Sequence, residues 1–514
     1  MPRGCRRRGR VETSPVMVEP VPRRDEGSFE HFVADHSAWI LASLVLLALA
    51  VRVIGLDQGL WLDETLSIHR AFRGSLSTIL TSFPSENDHP LYSVLAHLCI
   101  AAFGESAWSV RLPAVLFGVA TVPALWALGR EVASRAEALA ASAILAVSYH
   151  HVWFSQNARG YTATALFATL GAWLLLRGVA SGSRRDFVAY GVVTALGAYT
   201  HLTMVFVSLG HAAALGIFAM RLASERERET ILRLAPLGFA VAAAGTVALY
   251  LPRATQVLRT FGSPTVWVGT ASPSWAVIEL LRGLARGWGA GFALLGVLAV
   301  ALGSLVFLAG LAAFWRERPL FVLLVVLPPL VLFGGSMATR GVLYPRFFFF
   351  AIGIMLLVAV HGLAATGRLL ARSTSRPALR GAVPAAGVGL ALVASLAALP
   401  HEWRTPKQDY EGAIRWLHER SKPGEQILLP NRGSPFLYFY SQPWVTACKA
   451  EEIAAARQSG PVWIVWSMPY QIRAICPDFM EVADRECPSP KTFPSSVHGG
   501  EIRVCHLGGS PDTP

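Results

Sequence analysis

Between residues 38 and 400 one apolar run follows another, each close to the thickness of a bilayer's hydrocarbon, and this constrains the fold more than any other feature of the sequence. A helix needs roughly 20 apolar residues to cross. On that criterion the expected spans are 38–56, 110–130, 136–154, 161–178, 186–200, 202–221, 232–251, 289–313, 319–338, 345–367 and 381–400. The pinch at Thr200 and His201 divides what would be an overlong segment, so a tight hairpin is expected there. The stretch "HPLYSVLAHLCIAAFG", 89–104, is short for a span; runs of roughly 10–14 apolar residues more often lie at an interface or in a core. The chain is 53% hydrophobic and only 15% charged, the balance of a polytopic membrane protein.

Charge sets the orientation. If 89–104 lies flat on the membrane, every Arg-rich segment falls on one side: the N-terminal tail, Arg130 with Arg135, Arg177 with Arg184 and Arg185, Arg221 to Arg233, "WRERP", and Arg368 to Arg380. Cytoplasmic loops carry such an excess of Lys and Arg. If 89–104 crossed, the tail and the later basic loops would contradict each other. The expected topology is therefore about eleven spans with the N-terminus in the cytoplasm and the C-terminus outside the cell membrane. A net charge of +12 could also suggest nucleic acid, but here the Arg residues sit in short loops between spans, so no nucleic-acid partner is expected.

The ends differ from the middle. Residues 1–37 are polar, Pro-containing and basic, a disordered cytoplasmic tail with an uncleaved first helix after it. Residues 401–514 mix polar and apolar segments: "YEGAIRWLHER" has a helical pattern, while "QILLP" and "PVWIVWS" read as strands, giving a small α/β domain outside the membrane. Cys448, Cys476, Cys487 and Cys505 all lie there and suit two disulfides on an oxidising side, with the pairing open; Cys5 and Cys99 are expected as free thiols. No CxxC spacing supports zinc.

This topology gathers polar segments on the outer face: "GLWLDETLSIHR" in a long first loop, 57–109; "SQNARGY", 155–161; Thr200–His201; the loop 252–288 with Trp267, Trp275 and Trp288; and "TRGVLYPRF", 339–347. Asp63 and Glu64 are adjacent carboxylates at the hydrocarbon edge, where ions lose hydration, so they either face water or serve a function. A helix cap accounts for them equally well. Arg52 fits two roles, a snorkelling anchor or a phosphate ligand.

Together "LWLDETLS", "HPLYSVLAHLCIAAFG", "SAWSVRLPAVLFGVATVPALWALGREV" and "YHHVWFSQNARGYT" resemble bacterial GT-C membrane glycosyltransferases, the group akin to protein O-mannosyltransferases and the lipid A aminoarabinose transferase. The likeness covers about residues 50–180. It implies a GT-C fold with interfacial helices in the first outer loop, and a polyprenyl-phosphate-linked sugar as donor, transferred to a protein, lipid or polysaccharide acceptor outside the cytoplasmic membrane. Asp63 matches the family's first-loop Asp and is expected as the general base, with Glu64 as a second charge or the partner of an Arg. Asn157 stands where the family has an acidic residue. An amide there can orient a sugar hydroxyl or a metal but cannot be a second base, which leaves a divalent metal open; no other cofactor is implied.

A departing lipid phosphate needs cations, and guanidinium groups bind phosphate oxygens bidentately. Arg159 and Arg346 are the expected ligands, beside Tyr161 and Tyr344, with Arg52 a third candidate. An interfacial anchor is the plainer alternative for each. His89 and His201 are candidate substrate contacts, or packed polar groups. His150 and His151 are explained by their place near a span end, and Trp267, Trp275 and Trp288 by an aromatic belt. A transporter or flippase also has many spans, but usually places ionisable groups near mid-membrane in paired halves. Here the charges lie at span ends.

Overall fold

The computed structural model describes residues 28–85, 88–262, 278, 293–338, 344–431 and 433–508. The tail to residue 27, Cys5, Trp267, Trp275 and Trp288 lie outside the described residues. Among the described residues nine helices are long and apolar enough to cross a membrane. Two expected spans are shorter. Residues 136–154 form Arg135–Val147 followed by a separate helix, Tyr149–Ser155, and Arg184–Thr200 has 17 residues. The first helix, Ser28–Val53, starts ten residues before the expected span, so the polar residues 28–37 are helical.

Local chemistry fixes the hairpins at one end of the bundle. Ser134, Ser183 and Ser224 each cap a helix, their hydroxyls accepting from the backbone N–H of Glu137, Asp186 and Glu227. Each acid also places negative charge on a helix N-terminus. The expected break at Thr200–His201 is real: one helix ends at Thr200 and the next is Thr203–Arg221. Inside the bundle, Val122, Leu125, Leu145, Phe321, Leu357 and Val358 from four helices belong to one apolar core.

At the opposite end, the segment after the first span folds into Leu62–Ser67, a π-helical turn Ile68–Phe72, Leu76–Thr81 and Pro90–Phe103. The last of these, 14 residues long, is the short apolar segment expected at the surface. Leu60, Ile68, Phe72, Tyr92, Val110 and Ala158 bury one another and anchor this segment to the span Ala107–Val132 and to the polar loop before Tyr161.

The chain then leaves the last long helix, Leu379–Arg404, and forms a five-stranded sheet. Its strands are β1 (Gln426–Leu429), β2 (Val445–Thr446), β3 (Val462–Trp466), β4 (Lys491–Phe493) and β5 (Ile502–Leu507), in the order β2-β1-β3-β5-β4. β1 is parallel to β2 and β3, whereas β5 is antiparallel to β3 and β4. The two apolar runs read as strands are β1 and β3, and "YEGAIRWLHER" is a helix. Cys448 pairs with Cys476 and Cys487 with Cys505; Cys99 is a free thiol.

Candidate active site

Asp63 and Glu64, adjacent in the first turn of Leu62–Ser67, point to different places. Glu64 is fully buried and meets Arg111, itself 1% exposed, through two hydrogen bonds of 2.8 and 2.6 Å. It also accepts from the backbone N–H of Ala158 at 2.7 Å and of Trp61 at 3.2 Å. Arg111 donates in addition to the carbonyls of Leu56, Gln58 and Gly59. Glu64 is therefore the partner of an Arg, one of the two roles expected for it, a buried tie between two loops and a span that leaves it no open face for catalysis.

Asp63 faces a pocket. Its carboxylate lies 3.5 Å from the guanidinium of Arg346, an ion pair in which both side chains keep about a fifth of their surface exposed. The pocket, about 480 Å³ with its open mouth included, is lined among others by Asp63, Ser67, Arg70, Asp88, His89 and Arg159. Arg159 donates to the Ser67 hydroxyl at 2.7 Å, and Arg346 lies 4.2 Å from the centre of the Tyr344 ring and beside Tyr161.

A tight aromatic group backs these cations. His89 packs 5.0 Å from Tyr161 and 4.7 Å from His201, centre to centre. Gly160 makes the approach possible: a Cβ there would lie 2.8 Å from His89 Nδ1 and 2.6 Å from the Thr200 methyl. Burial holds the His89 imidazole well below its usual range, with Arg159 adding to the effect. His201 is lowered to about 3 by burial and then by Arg159 and Arg346. Both rings are thus neutral near pH 7. His201 Nδ1 accepts from the Thr203 N–H at 3.2 Å, which puts its proton on the buried Nε2. Neither nitrogen of His89 makes a hydrogen bond of ordinary geometry, the Thr200 backbone being the polar group that acts on it.

Two expected residues are elsewhere. Arg52 is fully buried and spends its N–H groups on Ser155 Oγ, the carbonyls of Ala48, Ala146 and Leu145, and His151 Nδ1. Five donors meet five acceptors inside the bundle, so none is left for a phosphate. Asn157 is also fully buried, and its Oδ1 accepts from the Trp61 indole at 3.1 Å. That oxygen is taken, and no group of three or more His, Cys, Asp or Glu among the described residues is placed to hold a metal ion.

Asp88 and Arg253 escaped the sequence reading. Asp88 is pushed up to about 6 by burial, against the pull of Arg253 and Arg159. Arg253 is fully buried and 3.3 Å from it. A signal existed: Arg111, Arg159, Arg253 and Arg346 all lie at the end opposite the Arg-rich hairpins, against the charge bias of the chain.

The sheet domain closes over this end. The Leu62 N–H donates to Gln408 Oε1 at 2.7 Å, Thr65 Oγ1 meets the Tyr438 hydroxyl at 2.9 Å, and Trp153 Nε1 donates to Ser496 at 3.2 Å. Helix Leu62–Ser67 is thus held from below by Glu64 and from above by this domain.

The whole arrangement matches a known architecture. The chain superposes on ArnT from Cupriavidus metallidurans in the apo state with a TM-score of 0.56, covering 91% of this chain and 98% of that one at 13% identity. It has the GT-C fold. ArnT bound to undecaprenyl phosphate gives 0.53 at 14% identity, over 93% and 99% of the two chains. A third GT-C structure, the Archaeoglobus fulgidus oligosaccharyltransferase in complex with Zn and sulfate, gives 0.54 at 12% identity, over 92% and 74%. The family model for dolichyl-phosphate-mannose-protein mannosyltransferases matches residues 87–253, which include Asp88, His89, Arg111, Arg159, His201 and Arg253. No curated protein matches the sequence.

Proposed function

We propose that the protein is a membrane glycosyltransferase that moves a sugar from a polyprenyl-phosphate donor to an acceptor hydroxyl at the outer face of the cytoplasmic membrane, with inversion. The observation that carries this reading is the ion pair of Arg346 with Asp63, a residue that lines a pocket together with His89 and Arg159 between the ends of membrane spans. A polyprenyl tail leaves a bilayer at a cost of about 0.8 kcal/mol per buried methylene, so the reacting bond must be met at the membrane edge. The ArnT structure bound to undecaprenyl phosphate supports the same donor chemistry.

In the free protein Arg346 neutralises Asp63. An incoming phosphate competes for that guanidinium and leaves the Asp63 carboxylate free to accept a proton. Asp63 removes the proton of the acceptor hydroxyl as its oxygen attacks the anomeric carbon from the face opposite the phosphate. The carbon–oxygen bond to phosphate breaks, and its electron pair stays on the lipid phosphate, which gains one negative charge. Arg346 and Arg159 offset that charge, and the neutral imidazoles of His89 and His201 offer N–H donors without adding a cation. Tyr161 and Tyr344 hold the cations in place. Placement outside rests on the Arg-rich hairpins at the opposite end and on two disulfides in the domain above the pocket.

The test is sugar transfer by the full-length protein in detergent from polyprenyl-phosphate-linked sugars, paired with mass spectrometry of envelope glycans and glycoproteins from cells with and without it. Loss of transfer in Asp63→Asn, with unchanged thermal unfolding, is expected. Full transfer by that variant would sink the reading.

A further inference from the structure

The wall of the pocket that carries His89 is held from outside the pocket. Arg253, just past the helix Glu225–Tyr250, has no exposed surface. It donates to the carbonyl of Ile79 at 2.6 Å and of Leu80 at 3.3 Å, at the end of the helix Leu76–Thr81, where carbonyls lack helical partners. It also reaches the Tyr199 hydroxyl at 3.1 Å and the Asp88 carboxylate at 3.3 Å. The rings of Tyr199 and Tyr250 lie 5.3 and 6.0 Å from its guanidinium carbon. Three residues on, Gln256 accepts from the Phe83 N–H at 2.7 Å and donates to the Thr81 carbonyl at 3.1 Å. Among the described residues, the polar contacts of Arg253 thus go to Ile79, Leu80, Asp88 and Tyr199, and Asp88 is the one of these that lines the pocket.

We propose that Arg253 is a positioning residue for the lipid-phosphate half of the pocket, acting through Asp88. This rests on the donor reading above and deepens it. Asp88 is the residue before His89, so fixing its carboxylate fixes the backbone from which the His89 ring enters the group of Tyr161, His201 and Arg159. The pairing has a second effect. Asp88 lines the same pocket as Arg159, and a carboxylate without Arg253 would present its full negative charge to an arriving phosphate. Arg253 therefore holds the wall in place and masks a charge on it, that of Asp88, that opposes the ligand.

The experiment is a double-mutant cycle on the purified full-length protein in detergent, titrated with undecaprenyl phosphate. Arg253→Met is expected to weaken binding about tenfold, and Asp88→Asn combined with it to restore binding to within about threefold of wild type, because the exposed charge is gone. A role limited to holding the Ile79 and Leu80 carbonyls leaves the double variant as weak as Arg253→Met, and that result overturns the proposal, as does wild-type binding by a folded Arg253→Met. If Arg253→Met does not fold, Arg253→Lys decides: it keeps a cation beside Asp88 but cannot make all four contacts. Near-wild-type binding supports the proposal, and a tenfold loss at an unchanged unfolding temperature overturns it. A wild-type protein that does not bind undecaprenyl phosphate sinks the donor reading and this inference together; wild-type binding with no effect of Arg253 sinks this inference alone.

Discussion

Glu64 and Arg111 form a buried pair, two hydrogen bonds of 2.8 and 2.6 Å between side chains at 0% and 1% exposure, directly behind the neighbouring Asp63 that faces the pocket. A structural carboxylate and the proposed base are adjacent in the sequence. The pair ties the loop after the first span, through Leu56, Gln58 and Gly59, to Ala158 of the second polar loop.

Removing one partner should leave the other charge buried and unmatched. Glu64→Gln or Arg111→Met is expected to lower stability by about 3–5 kcal/mol. The combined variant should lose less than the sum of the two. Thermal unfolding in detergent measures both.

In the proposed reaction Arg346 meets the phosphate both before and after charge develops on it, so its loss should be felt in binding and in chemistry. Arg346→Ala is expected to weaken undecaprenyl phosphate and to slow turnover by roughly 10²–10³, the range for loss of one charge-stabilising donor. Arg346→Lys should recover only part of this, since a single ammonium cannot bind bidentately. Steady-state transfer rates with ligand titration separate the two effects.

The buried imidazoles predict a response to acid. His201, at about 3 in the folded protein against roughly 6.5 unfolded, contributes stability that is complete above pH 6.5 and is lost as pH falls toward 3. His89 shifts in the same direction. Asp88, raised to about 6, acts oppositely: its burial favours folding below pH 4 and loses that effect as pH rises to 6. Two groups outweigh one, so the unfolding temperature should drop between pH 7 and 5. The drop should shrink in His201→Gln and deepen in Asp88→Asn.

The disulfides should matter for the upper domain. Cys448–Cys476 and Cys487–Cys505 close loops of 28 and 18 residues. Each removal, as a Cys→Ser pair, is expected to cost about 3 kcal/mol on a chain-entropy account. Unfolding with and without reductant tests this, and the variants should lose the reductant response.

The sequence alone determined the membrane-spanning helical fold, the hairpin at Thr200–His201, the short apolar helix after His89 and two of the five strands of the upper domain, β1 and β3. These follow from local quantities: the length of an apolar run, a polar interruption within it, a helical or continuous apolar pattern. It also singled out Asp63, Arg159, Arg346, His89 and His201, which the tertiary structure brings to one end of the bundle. Only that structure decided which of two adjacent carboxylates faces the pocket, because the direction of a side chain on a short helix depends on what packs behind it. Only it showed that the donors of Arg52 are taken by partners that lie mostly about 100 residues away, that the Asn157 oxygen is held by Trp61, and that Arg111, Asp88 and Arg253 belong to the site's frame. Whether a charged group is satisfied or available depends on the groups that surround it in space, and the order of residues along the chain does not contain that information.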